Sequence, residues 1–269
     1  MKKGFALIFV FAFLLTSCAN LDSSNIAQSE IKTEATTVHV HTWTPATCTA
    51  PKTCSVCGAT EGEPTAHLYE EGVCSACGFE DQEYIQFQEG KAVYVDLLIV
   101  KLSCDTQIDK IQKAWYYHIY KSDDYYGTAQ IKAFSNYIGF KEEIVREAAK
   151  SYLESINWTH GYDDLSLGTA TGGTLAGSIY IVQYIFKDLS ASTQNNLNAV
   201  RDLLGEMTEE YEKTTKYSLL KQYYAELKSY ASFCQSPSGS YSGLQTTKYN
   251  FQTNATKYQN ELSITYSID

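Results

Sequence analysis

The sequence predicts a mainly α protein: a C-terminal helical bundle preceded by a small zinc-ribbon-like Cys/His module. Three observations carry that expectation. Prolines stand only at 45, 51, 64 and 237, so the long stretch between Pro64 and Pro237 lacks the strongest helix breaker. Apolar residues in that stretch recur every three or four positions, the period of a helix with one buried face. Before it, residues 39–78 gather five of the eight cysteines and three of the five histidines.

With 269 residues, the chain has room for one medium domain and a small module. The expected division is 1–17, 18–38, 39–83 and 84–269. The net charge of −10 speaks against a nucleic-acid partner, because binding a phosphate backbone calls for a basic face.

Met1-Lys2-Lys3 is a short basic start, and Gly4 to Leu15 is an apolar run. Its twelve residues fall short of the roughly 20 that span a bilayer, but they suit the apolar core of a signal peptide. The run closes on Leu15-Thr16-Ser17-Cys18, which resembles the lipobox of bacterial lipoproteins. That resemblance implies cleavage before Cys18, lipidation of its sulfur, and anchorage on the extracytoplasmic face of a bacterial cell membrane. Two acyl chains make a stable anchor where one would be marginal. Residues 18–38 are polar, rich in Ser and Thr, and read as a flexible stalk.

The module carries two knuckles, Cys54-Ser-Val-Cys57-Gly58 and Cys74-Ser-Ala-Cys77-Gly78. Two cysteines three apart turn their sulfurs to one point, and the glycine that follows permits positive φ. This C-x2-C…C-x2-C spacing fits a tetrahedral zinc site, which needs two further N or S ligands for each knuckle. The expected ligands are His41, Cys48, Cys54, Cys57, His67, Cys74 and Cys77, with His39 in reserve, for one or two structural zinc ions. One partition places Cys48, Cys54, Cys57 and His67 on one ion, and Cys74 and Cys77 with the upstream histidines on the other. Its rival is a single ribbon of Cys54, Cys57, Cys74 and Cys77. Disulfides and thiol redox chemistry are the competing uses of these cysteines. His41-x-Trp43 precedes Cys48 by the same seven positions by which His67-x-Tyr69 precedes Cys74, a degenerate internal repeat. The segment resembles the H-x-W…C…C-x-x-C-G repeats of Gram-positive surface proteins, and the resemblance implies a structural metal module and no activity. The second copy departs from it by lacking the leading cysteine.

In the remainder, residues 91–102 are β-branched and nearly all apolar, which fits a buried strand or a helix start, with helix the favoured reading; 106–120 is expected as a helix entered through Asp105 or Thr106. A helix pair is expected at 130–137 and 141–156, and a centrally buried helix at 174–189. Further helices are expected at 192–207 and 211–233, then a turn-rich loop, then a last helix paired with its predecessor. Residues 133–148 resemble a helix-turn-helix, but Glu142 and Glu143 would oppose phosphates, so the segment reads as a packing corner. Gly168 to Thr174 reads as a capped helix entry. Cys104 and Cys234 are either bridged or buried thiols. Trp158, His160, Tyr162 and Asp163 are the expected contact residues for a protein or glycan partner. A lipid-anchored binding protein is the main functional expectation, and no catalytic constellation is recognisable. The alternatives are a hydrolase of cell-wall or glycan material using His160, Asp163 and Asp164, and a zinc-handling lipoprotein.

Overall fold

The computed structural model describes residues 39–121, 129–159, 167–171 and 174–268. It begins with five short strands. β1 (Trp43–Thr44), β2 (Lys52–Cys54) and β3 (Thr60–Glu61) form one antiparallel sheet in that order. β4 (Tyr69–Glu70) and β5 (Val73–Cys74) form a separate hairpin. Its two-residue turn places Glu71 and Gly72 at φ 48° and 81°, the double positive φ of the turn that matches strand twist.

The helical part starts at α1 (Gln82–Tyr120), whose first turn is capped by Asp81 accepting from the Glu83 and Tyr84 amides. This helix takes in both 91–102 and the helix expected separately from residue 106. The expected cap at Asp105 or Thr106 is therefore corrected: both residues lie inside one 39-residue helix about 58 Å long. The reason is tertiary. Asp105 turns its carboxylate to Lys101 Nζ, Tyr230 Oη and Gln252 Nε2, so it has no free oxygen pattern of a cap. Along α1, Val93, Leu97, Val100, Cys104, Ile108, Ile111 and Trp115 are buried at steps of three and four.

α1 is the axis of the domain and touches α5 (Leu175–Ile185), α6 (Lys187–Glu206), α8 (Thr215–Gln235) and α9 (Tyr241–Tyr266). α2 (Ala129–Ile138), α3 (Glu142–Ser155) and the short α4 (Leu167–Ala170) complete one end. The α2–α3 corner is a packing corner, closed by Gly139 at φ 75°. Thr174 caps α5 by accepting from the Gly177 amide, the entry expected there. The expected burial of 174–189 on every side is corrected. α5 ends at Ile185, and its buried residues Gly177, Ser178, Ile181 and Val182 form one face. The expected helix at 211–233 is likewise split into α7 (Glu209–Glu212) and α8, because Thr214 turns out of the helix to cap α8. α8 and α9 pack as the expected hairpin. Cys104 and Cys234 are buried free thiols, with the Cys234 sulfur 3.5 Å from the Cys104 carbonyl oxygen. Burial and the neighbouring Cys104 thiol push the Cys234 thiol up, with the thiol contact the larger cause. Among the described residues, no helix is long and apolar enough to cross a membrane.

Candidate metal centre

Both knuckles are built the same way. The Cys54 amide donates to the Ala59 carbonyl and the Cys74 amide to the Phe79 carbonyl, at 2.7 and 2.8 Å. Gly58 and Gly78 donate back to the carbonyls of Cys54 and Cys74, and take φ of 73° and 74°. A side chain at either glycine would strain that turn, which is why each knuckle ends in the residue without one.

An aromatic strand brings a histidine to each knuckle. In β1, Trp43 pairs with Cys54; in β4, Tyr69 pairs with Cys74. Two residues before each aromatic stands the histidine, packed against it: His41 is stacked on Trp43 at 5.0 Å, and His67 is tilted to Tyr69 at 5.6 Å and stacked on Phe79 at 4.8 Å. The H-x-W and H-x-Y pattern is thus a ring clamp that fixes an imidazole beside the second cysteine of its knuckle. His41 Nδ1 lies 3.4 Å from Cys57 Sγ, and His67 Nδ1 lies 3.4 Å from Cys77 Sγ. Lys52 strengthens the first clamp, lying 4.6 Å over the Trp43 ring while pairing with Glu61.

The fourth donor differs between the copies. In the first, His39 Nε2 lies 3.6 Å from Cys54 Sγ; in the second, Cys48 Sγ lies 3.8 Å from Cys74 Sγ. Two groups result, His39–His41–Cys54–Cys57 and Cys48–His67–Cys74–Cys77, each with its donor atoms within 4.8 Å of one another. Tetrahedral geometry with Zn–S of about 2.3 Å and Zn–N of about 2.0–2.1 Å requires S···S edges near 3.8 Å and S···N edges near 3.6 Å. The four separations above lie within about 0.2 Å of those edges. The donor set fits a divalent ion in each group, and both groups could hold a metal.

Both expected partitions are corrected. Each knuckle takes the histidine preceding it, so His67 belongs with Cys74 and Cys77 and not with Cys54 and Cys57. No single four-cysteine ribbon forms. Seven-residue spacing aligns Cys48 with Cys74, whereas structurally Cys54 matches Cys74, and 48–53 is an insertion in the first copy. That insertion carries Cys48 across to the second knuckle and supplies the cysteine that the second copy lacks. His39 completes the first group, its ring 4.7 Å from that of His41; its position two residues before His41 was the available signal.

Thiol acidity follows this geometry. At Cys54, burial pushes the thiol up, but the His41 ring, the Val56 amide, His39 and the Cys57 amide outweigh it and bring it to about 5. At Cys74, the His67 ring lowers the thiol most; with the Ala76 and Cys77 amides it outweighs burial and brings the thiol to about 6. Cys48 goes the other way, raised to about 11 by its hydrogen bond with Cys77, then by burial and by Cys74. Each knuckle therefore holds its first cysteine as a ready thiolate, with backbone amides directed at the sulfur.

The other expected site residues are less gathered. Trp158 is half-buried against the helical core, just after α3. His160, Tyr162, Asp163 and Asp164, like Cys18, lie outside the described residues.

Fold and site together define a small β module with two Cys/His groups able to hold metal, continuous with a helical domain. Comparison with protein-family models, with curated proteins and with solved structures finds no match.

Proposed function

We propose that this chain is a lipid-anchored extracytoplasmic protein in which two structural zinc ions order the module and the helical domain binds a ligand. The observation that supports the metal reading most is the convergence of four donors in each group to within 4.8 Å, with four of the separations, 3.4, 3.4, 3.6 and 3.8 Å, lying within about 0.2 Å of the edges of zinc tetrahedra. Zinc is favoured over other divalent ions by the mixed thiolate and imidazole donors and the closed four-ligand sets. The module has little else to hold it. Val40, Val56, Leu68, Val73 and Phe79 are all exposed, and only Cys54 and Cys74 count as its buried hydrophobic residues. Metal binding worth about 10 kcal/mol or more would supply the missing stability. The anchor rests on Leu15-Thr16-Ser17-Cys18, with 19–38 as a spacer.

The test is metal content and free-thiol count on the purified chain, followed by chelation. Two zinc ions per chain are expected, with loss of module structure on chelation while the helices stay intact. Metal-free protein with cysteines oxidised in pairs would overturn the metal reading. Ready loss of zinc to a mild chelator without loosening of the module would move the assignment to zinc handling.

A further inference from the structure

Along the C-terminal half of α1, residues of α1, α2 and α9 line an open cleft of about 540 Å³. That volume falls within the range of small-ligand sites. Its chemistry is the reverse of the chain's. Against a net charge of −10, its described lining presents Lys110, Lys113 and Lys248, with Asp109 as the one acidic side chain among those described residues. Its wall is aromatic: Tyr116 lies near-parallel to Tyr137 at 6.1 Å and tilted to Tyr241 at 5.9 Å.

The fold holds these groups in place. Lys110 Nζ donates to the Ile138 carbonyl at 2.6 Å, and a Cβ on Gly139 would come 2.7 Å from that nitrogen, so the corner glycine makes room for the lysine. Lys248 is fixed by Asp109 and by Gln112 Oε1, and Gln112 Nε2 in turn donates to Tyr241 Oη. Lys113 projects as an exposed ammonium at the mouth. Burial lowers the pKa of Lys110 and the charge of Lys113 lowers it further, with Asp109 opposing both; an anion bound between the two lysines would relieve their repulsion. Tyrosine faces bearing hydroxyls at their rims suit the apolar face and polar edge of a sugar ring.

We propose that this pocket binds an acidic carbohydrate unit, its ring against Tyr116 and Tyr137 and its anionic group between Lys110 and Lys113. The inference rests on the reading of the helical part as a binding domain, and gives it a ligand class.

The experiment titrates the full chain with trigalacturonate, monomeric galacturonate, neutral maltotriose and inorganic phosphate, by calorimetry and tyrosine fluorescence. Trigalacturonate should bind, weaken as salt rises, and lose about tenfold in affinity in Lys113→Gln. Lys113 is exposed, so that variant keeps its fold, which circular dichroism checks; Tyr137→Ala should lose binding of the same order. Retention of affinity by monomeric galacturonate assigns the site to a free acidic sugar, and its loss to a unit within a polymer; both uphold the proposal. Failure of both acidic sugars to bind, unchanged affinity in Lys113→Gln and Tyr137→Ala, or equal competition by phosphate alone would overturn it. Tight binding of maltotriose with no acidic sugar bound would also overturn it while leaving a binding domain standing. Zinc content, measured on the same samples, reports separately on the metal reading.

Discussion

The pairing of each knuckle with its preceding histidine makes a quantitative prediction that separates it from every other arrangement of the same residues. The first group offers two thiolates and two imidazoles, the second three thiolates and one imidazole. With a divalent ion bound, the first is neutral and the second carries one net negative charge. Replacing zinc by cobalt(II) gives each site a thiolate-to-metal charge-transfer band whose intensity grows with the number of bound sulfurs. Cys57→Ser should empty the first site, leaving one ion and three of the five thiolates, so about three-fifths of the intensity remains. Cys77→Ser should empty the second, leaving one ion and about two-fifths. Pairing Cys48 and His67 with Cys54 and Cys57 would exchange those two fractions. A single four-cysteine ribbon would lose its whole signal in either variant. Each site should contribute on the order of 10 kcal/mol to ordering its half of the module, so hydrogen exchange should accelerate around the emptied knuckle. Exchanged fractions, or total loss from one substitution, would refute the pairing. The measurement is absorbance on cobalt-loaded protein, with metal content by mass spectrometry.

Two further outcomes concern the helical domain. In Gly90→Ala, better helix propensity favours the variant by about 1 kcal/mol. The added Cβ, however, collides with the Tyr211 and Tyr266 hydroxyls, which share a buried hydrogen bond of 2.8 Å. Overpacking and disruption of that bond should cost about 1–3 kcal/mol each, so urea denaturation should show net destabilisation. A more stable variant would show that the two tyrosines move aside freely. His118, whose Nδ1 lies 3.3 Å from Ser178 Oγ, has its pKa lowered by burial. Its folded pKa then lies below the unfolded one. Its contribution is complete above the ordinary histidine value and declines as pH falls from there through the folded value. His118→Gln should flatten the fall of the helical melting temperature across that window; an unchanged slope would assign the fall to other groups.

Much of this architecture was open to inspection in the residues themselves. The absence of proline across α1 to α8, the three-and-four spacing of Ile108, Ile111, Trp115 and Ile119 and the turn-rich 236–243 stretch indicate helices and roughly where they end, although the last helix already begins at Tyr241. The resemblance between helix entry at Thr174 and its observed cap follows from local chemistry, since a threonine hydroxyl reaches an amide three residues on. Where long-range contacts set the outcome, local signals misled. Asp105 looks like a cap until Tyr230 and Gln252, far along the chain, take its oxygens. The apolar run at 174–189 looks buried all round, yet it stops at Phe186 with one covered face.

The metal centre divides along the same line. Soft donors, knuckle glycines and the aromatic two residues after His41 and His67 are local features, and they named the donor-rich segment and its chemistry. Which donor meets which was decided by strand pairing. Trp43 with Cys54 and Tyr69 with Cys74 bring each histidine to its own knuckle, while a six-residue insertion carries Cys48 to the other. Spacing along a chain fixes which side chains neighbours in sequence can share, and it is silent on partners that only backbone pairing brings within 4 Å. The lysine and tyrosine pocket belongs wholly to that second kind, because α1, α2 and α9 supply its walls from residues more than a hundred positions apart.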